Sequence, residues 1–90
     1  MPEFNKEEVR KTIHGLVMDV LKRKKVAVKP DMIVEGVSMI MELGLDSLDI
    51  LQLVATVEKK IGVKIPDEEL KKIDDMGSFI KAVEKNWPKA

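Results

Sequence analysis

Two stretches of this 90-residue chain repeat their apolar side chains at steps of three and four, and no stretch alternates them for long enough to make a strand. In the first, Val9, Ile13, Leu16, Val17, Val20 and Leu21 form one stripe, with Arg10, Lys11, Asp19 and Lys22 off it. Asn5 is the expected N-cap of that helix, with Glu8 as its capping-box partner. Lys22-Arg23-Lys24-Lys25 puts cations where the helix dipole is negative. Gly15 costs such a helix about 1 kcal/mol relative to Ala, unless a neighbour needs the close approach.

Pro30 blocks continuation of the helix, and residues 26 to 46 keep no single period. Val28, Ile33, Val37, Met39, Ile40 and Leu43 are nevertheless too apolar for a free linker. A long loop pinned on the core, with a helical turn inside it, is expected. Helical period returns from Asp46 or Ser47 to about Lys60. Pro66 then introduces a short helix over Asp67 to Ile73, with acids in its first turn and bases in its last. A final helix starts near Asp75 or Met76, buries Phe79, Ile80 and Val83, and stops before Pro88. Trp87 is placed to cover the end of the bundle. The pattern predicts an all-α fold: three main helices, one short helix and a long first loop.

Composition removes several functions. With no Cys and one His, the chain has no disulfide framework, thiol nucleophile, thiolate metal site or His cluster. His14 reads as a packing or surface residue. Net charge is zero, but residues 1–30 carry eight cations against four acids, whereas residues 31–60 carry two against six. That balance does not suit a nucleic-acid binder, and Lys22 to Lys25 read as a solvated helix end. The longest uncharged run, Ile50 to Val57, is far short of the ~20 residues of a membrane span. Acids rather than a basic, then apolar, leader follow Met1, so a cytoplasmic monomer is expected.

The helix after Asp46 has more apolar residues than one core face needs. Ile50, Leu53, Val54, Val57 and Ile61 complete one stripe; Leu48, Leu51 and Ala55 make a second, displaced around the cylinder. The helix is then either buried on two sides or exposes its second stripe to a partner. Asp46 or Ser47 can cap it, and Asp49 falls in its first turn. A serine at a helix N-terminus is also a good place to carry a phosphate, which the free N–H groups and the positive dipole end would receive.

Leu43-Gly44-Leu45-Asp46-Ser47-Leu48-Asp49 resembles the phosphopantetheine-attachment motif of acyl carrier proteins. Ile61-Gly62-Val63-Lys64-Ile65-Pro66-Asp67-Glu68-Glu69-Leu70 resembles that family's loop and third helix. Val28-Lys29-Pro30-Asp31 and Ile33 resemble its first loop. The resemblance covers roughly Lys6 to Asn86. It implies a four-helix bundle of acyl-carrier type in a single domain spanning residues 1–90, with its core at about 6–86.

By that resemblance Ser47 is the acceptor for 4′-phosphopantetheine, flanked by Asp46 and Leu48, and joined to it by a phosphopantetheinyl transferase using coenzyme A. The arm's thiol would hold acyl groups as thioesters for an acyl-ligase, ketosynthase, acyltransferase or related enzyme. The chain would be a carrier and not an enzyme, because the cofactor supplies the reactive atom and the protein its placement. Leu48, Asp49, Leu51, Ala55 and Glu58 match the partner-facing surface, which favours an exposed second stripe. Met39, Ile40, Ile50 and Val54 are candidates to line an acyl cavity.

Bacterial fatty-acid carriers of this kind are typically strongly acidic along the second helix. Here Gln52, Lys59 and Lys60 replace acids, which points to a specialised carrier with dedicated partners in fatty-acid, polyketide or related lipid synthesis. A peptidyl or aminoacyl carrier, and a non-catalytic docking subunit using the same fold, are the alternatives. A hydrolase with Gly-Asp-Ser-Leu is set aside, because Leu45 precedes Asp46 and no Asp-x-x-His follows.

Overall fold

The computed structural model describes residues 3–88. Helix α1 spans Lys6–Arg23, a 3₁₀ turn spans Pro30–Met32, and α2, α3 and α4 span Ser47–Ile61, Asp67–Leu70 and Met76–Lys85. No strand occurs among the described residues. Helix α1 packs on both α2 and α4, and the stripe that drives this is the one with helical period: Val9, Ile13, Val17, Val20 and Leu21 are buried, and Leu16 is partly so. They join Leu53, Val54, Val57, Phe79, Ile80 and Val83 in one cluster. Burying each such side chain contributes about 1.5–3 kcal/mol before chain entropy is counted.

The Asn5 carboxamide caps α1 by accepting from the Glu8 amide at 3.2 Å. The Glu8 side chain does not return the bond to Asn5, so the box is half formed. At the other end the chain stops itself. The Lys25 amide donates to the Lys22 carbonyl and the Val26 amide to the Leu21 carbonyl, a Schellman closure with Lys25 at a φ of 58°. That left-handed position favours glycine. It is stabilised here by Val26 packing back on the core. Phe4 and Trp87 meet edge to face at 5.4 Å over one end of the bundle.

The long loop is sewn down rather than merely covered by apolar side chains. Ile33, Met39, Leu43 and Leu45 are buried. His14 Nε2 lies 2.8 Å from the Pro30 carbonyl oxygen. The Ser38 hydroxyl donates to Asp74 at 2.6 Å, the Gly36 amide to Asp75 at 2.6 Å and the Met39 amide to the Asp74 carbonyl at 3.0 Å. These bonds tie the loop to the start of α4, where Asp75 and Ser78 form a complete capping box.

Helix α3 is shorter than its sequence pattern suggests. It ends at Leu70, and Lys71 and Lys72 lie in a turn. Ile73 is buried, and the chain leaves the helix early to turn that side chain inward. The bases expected in its last helical turn therefore lie outside it.

Candidate functional site

The start of α2 is built by Asp46. Its side chain accepts from the Asp49 amide at 2.9 Å, and the Asp49 carboxylate accepts from the Asp46 amide at 3.0 Å. Gly44, at a φ of 78°, makes the left-handed turn that delivers Leu45 into the core and Asp46 to the cap. Sequence left the cap open between Asp46 and Ser47; the structure gives it to Asp46. Ser47 is the first residue of the helix and is exposed. Among the described residues no side chain or backbone group hydrogen-bonds its hydroxyl.

The second oxygen contact of Asp49 is with the Lys24 ammonium, just beyond the end of α1. That hydrogen bond, followed by the one from the Asp46 amide, holds the Asp49 carboxyl below the usual carboxylate range. The same bond raises the Lys24 ammonium above its ordinary value. The cation cluster read as a solvated helix end is therefore divided: Lys24 ties α1 to α2, Lys25 closes α1, and Lys22 and Arg23 remain on the surface.

The two stripes of α2 separate into a buried face and an exposed one. Ile50, Leu53, Val54 and Val57 are buried. Leu48 is 68% exposed, Leu51 46%, and Ala55 is exposed too. Met41, 84% exposed, and Ile40 add further apolar surface. Two acids expected on the partner surface also make internal contacts. Asp49 is held as described, and Glu58 accepts from the Ile65 amide at 2.9 Å, fixing the loop that follows α2.

Beside Ser47 lies an apolar cleft of about 270 Å³, lined by Ile40, Ile50, Leu51, Leu70, Lys71 and Ile73 as well as by Ser47 itself. Of the four residues picked as cavity candidates, Ile40 and Ile50 line it. Met39 and Val54 do not, because both are enclosed in the core. Leu70, Lys71 and Ile73 were missed.

Among the described residues, no group of three or more His, Cys, Asp or Glu side chains could hold a metal ion. No helix is long and apolar enough to cross a membrane. What the site offers is an accessible hydroxyl, free of capping duty, on the rim of an apolar cleft. A covalently attached arm fits that arrangement: its phosphate needs an outward serine oxygen, and its far end can lie along Ile40, Ile50 and Leu51.

Comparison with known proteins bears on the same segment. The family described as "Phosphopantetheine attachment site" matches residues 11–83. An acyl carrier protein of Helicobacter pylori is 35% identical over 74 residues, covering 82% of this chain and 88% of that one. The chain belongs to the acyl carrier protein family. Another acyl carrier protein, from Wolinella succinogenes, is 39% identical over 59 residues, covering 66% of this chain and 78% of its own. The fold agrees with the solved structure of the acyl carrier protein from Enterococcus faecalis, with a TM-score of 0.76 at 20% identity over 92% of this chain and 99% of that one. The family's prosthetic group is covalently attached 4′-phosphopantetheine, and its members are carriers rather than catalysts. When attached, the arm supplies a terminal thiol on which acyl groups ride as thioesters.

Proposed function

We propose that Ser47 is the attachment residue, and that this carrier delivers acyl groups to enzymes of fatty-acid, polyketide or related lipid synthesis. The observation that carries the reading is the division of labour at the start of α2. Asp46 and Asp49 satisfy the helix end, which leaves the Ser47 hydroxyl outward on an apolar cleft. In the modification, Ser47 Oγ would attack the pantetheine-bearing phosphorus of coenzyme A; the new Oγ–P bond replaces that phosphorus's bond to the bridging oxygen, adenosine 3′,5′-bisphosphate leaves, and a base of the transferase takes the serine proton. Leu48, Leu51 and Ala55 form the surface on which the phosphopantetheinyl transferase and later an acyl-ligase, ketosynthase or acyltransferase would dock. Ile40, Ile50 and Leu51 would shelter the acyl chain, and Leu70 and Ile73 would close the cleft. The carrier acts as a cytoplasmic monomer in this reading.

Intact-protein mass after incubation with coenzyme A, magnesium and a broad-specificity transferase tests it. The expected result is a gain of one phosphopantetheinyl group, absent in Ser47→Ala. A gain that persists in Ser47→Ala would remove the assignment; no gain with several transferases would favour a docking subunit.

A further inference from the structure

Helix α2 borders a second depression, on its α1 side. A groove of about 830 Å³ runs between the two helices, floored by Leu16, Val20 and Leu53 and walled by Lys22, Arg23 and Gln52. The helices are antiparallel here, since Lys24 beyond the end of α1 meets Asp49 in the first turn of α2. Lys22 and Arg23 therefore mark one end of the groove. Ala55 and Thr56 continue the α2 wall, and Lys59 and Lys60, four residues on, extend the same face. All four cations are exposed, and none is in an ion pair among the described residues.

The acids that would offset them are turned elsewhere. Asp49 is bound to Lys24, and Glu58 faces the Ile65 amide. Asp19 is the carboxylate in the lining, against Lys22 and Arg23 there, and the exposed Lys59 and Lys60 add two cations beyond it on α2. Gln52 lies in the second turn of α2, whose first residue is Ser47, so an occupant seated there reaches the same end of the helix as Ser47.

We propose that this groove docks an acidic amphipathic helix belonging to an enzyme that works on the carrier. Its apolar stripe lies on Leu16, Val20 and Ala55. Its carboxylates, about 10 Å or two helical turns apart, pair with Lys22 and Arg23 at one end and Lys59 and Lys60 at the other. The complementarity sets encounter rate and partner choice: a partner that offers cations to α2 is repelled, and one that offers carboxylates is steered in. The inference rests on the carrier reading only in taking the occupant to be such an enzyme.

The test uses the full chain, ¹⁵N-labelled, with arm loading read first by intact mass; failure to load counts against the carrier reading and not against the groove. The protein is then titrated with two synthetic helical peptides, one of Leu and Glu and its counterpart of Leu and Lys. The acidic peptide is expected to shift the amides of Val20, Arg23, Gln52 and Thr56. Its affinity should fall about tenfold both in Lys22→Glu/Arg23→Glu and, independently, in Lys59→Glu/Lys60→Glu. Lys64→Glu/Lys72→Glu, the same charge change away from the groove, should leave it unaltered. Equal response to the basic peptide, shifts confined to the Ser47 cleft, or none at millimolar peptide would overturn the proposal.

Discussion

Helices α2 and α4 begin with the same device put to opposite uses. Each has an aspartate N-cap in a reciprocal capping box, Asp46 with Asp49 and Asp75 with Ser78. In α4 the serine is the third helical residue, and its hydroxyl is fully engaged: it accepts from the Asp75 amide at 3.1 Å and donates to the Asp75 carbonyl at 3.0 Å. In α2 the third position is an aspartate, and the serine stands first, where no cap geometry reaches its hydroxyl. A shift of two positions along one helical turn turns a structural serine into an available one.

The largest expected effect separates these two serines. Ser47→Ala should abolish arm attachment in the mass assay while leaving thermal stability within about 0.5 kcal/mol of the parent, since an exposed hydroxyl without partners is lost. Ser78→Ala should load normally yet lose about 1 kcal/mol, the usual cost of a cap hydrogen bond. If both alanine variants load and only Ser78→Ala melts early, the comparison fails at its functional half.

Next come the caps themselves. Asp46→Ala should cost about 1 kcal/mol in urea unfolding. Asp75→Ala should cost about 2 kcal/mol, because its carboxylate also accepts from the Gly36 amide and so holds the loop to α4. Exchange of the Gly36 and Met39 amides should quicken in Asp75→Ala and not in Asp46→Ala. Equal losses in the two variants would mean that the loop is held by its buried Ile33, Met39 and Leu43 alone.

These contrasts show what could be read from sequence and what could not. The stripes of α1, α2 and α4 were legible because helical burial writes itself into local spacing. Membership of the family was legible through the resemblance of Leu43 to Asp49 to a family motif, in a segment the family match covers. The choice of Asp46 over Ser47 as cap was not, since both residues serve equally well and only the backbone decides. Nor was the early end of α3, which depends on Ile73 finding the core. The Lys24–Asp49 pair and the α1/α2 groove required knowing that α1 and α2 lie antiparallel, a tertiary fact. Met39 and Val54 are enclosed in the core, whereas Leu70 and Ile73 line the cleft beside Ser47, a distinction that only packing makes.

The smallest predicted effect concerns pH, and it distinguishes the two caps by the kind of group that stabilises each charge. Burial pushes the Asp75 carboxyl up, but hydrogen bonds from the Ser78 and Gly36 amides outweigh it and leave the group below its ordinary value. The Asp49 carboxyl is low chiefly because of Lys24. Both depressed carboxyls contribute stability above the ordinary aspartate value of about 3.9, and both lose it as the pH falls through their folded-state values. Lys24, raised, contributes below about 10.4 and loses its share as the pH climbs past its folded value. The Lys24–Asp49 contact therefore supports the fold between those limits. The partly covered Lys24–Asp49 pair is weakened by 1 M salt, where the Debye length is about 3 Å, whereas backbone amide bonds are not. Carbonyl-detected titration by nuclear magnetic resonance should show the Asp49 carboxyl moving up toward the ordinary range in 1 M sodium chloride and in Lys24→Met. Asp75 should stay where it is in both. Movement of Asp75 with salt would mean that its charge is held by distant cations and not by the Gly36 and Ser78 amides, and the two helix starts would then be stabilised in the same way.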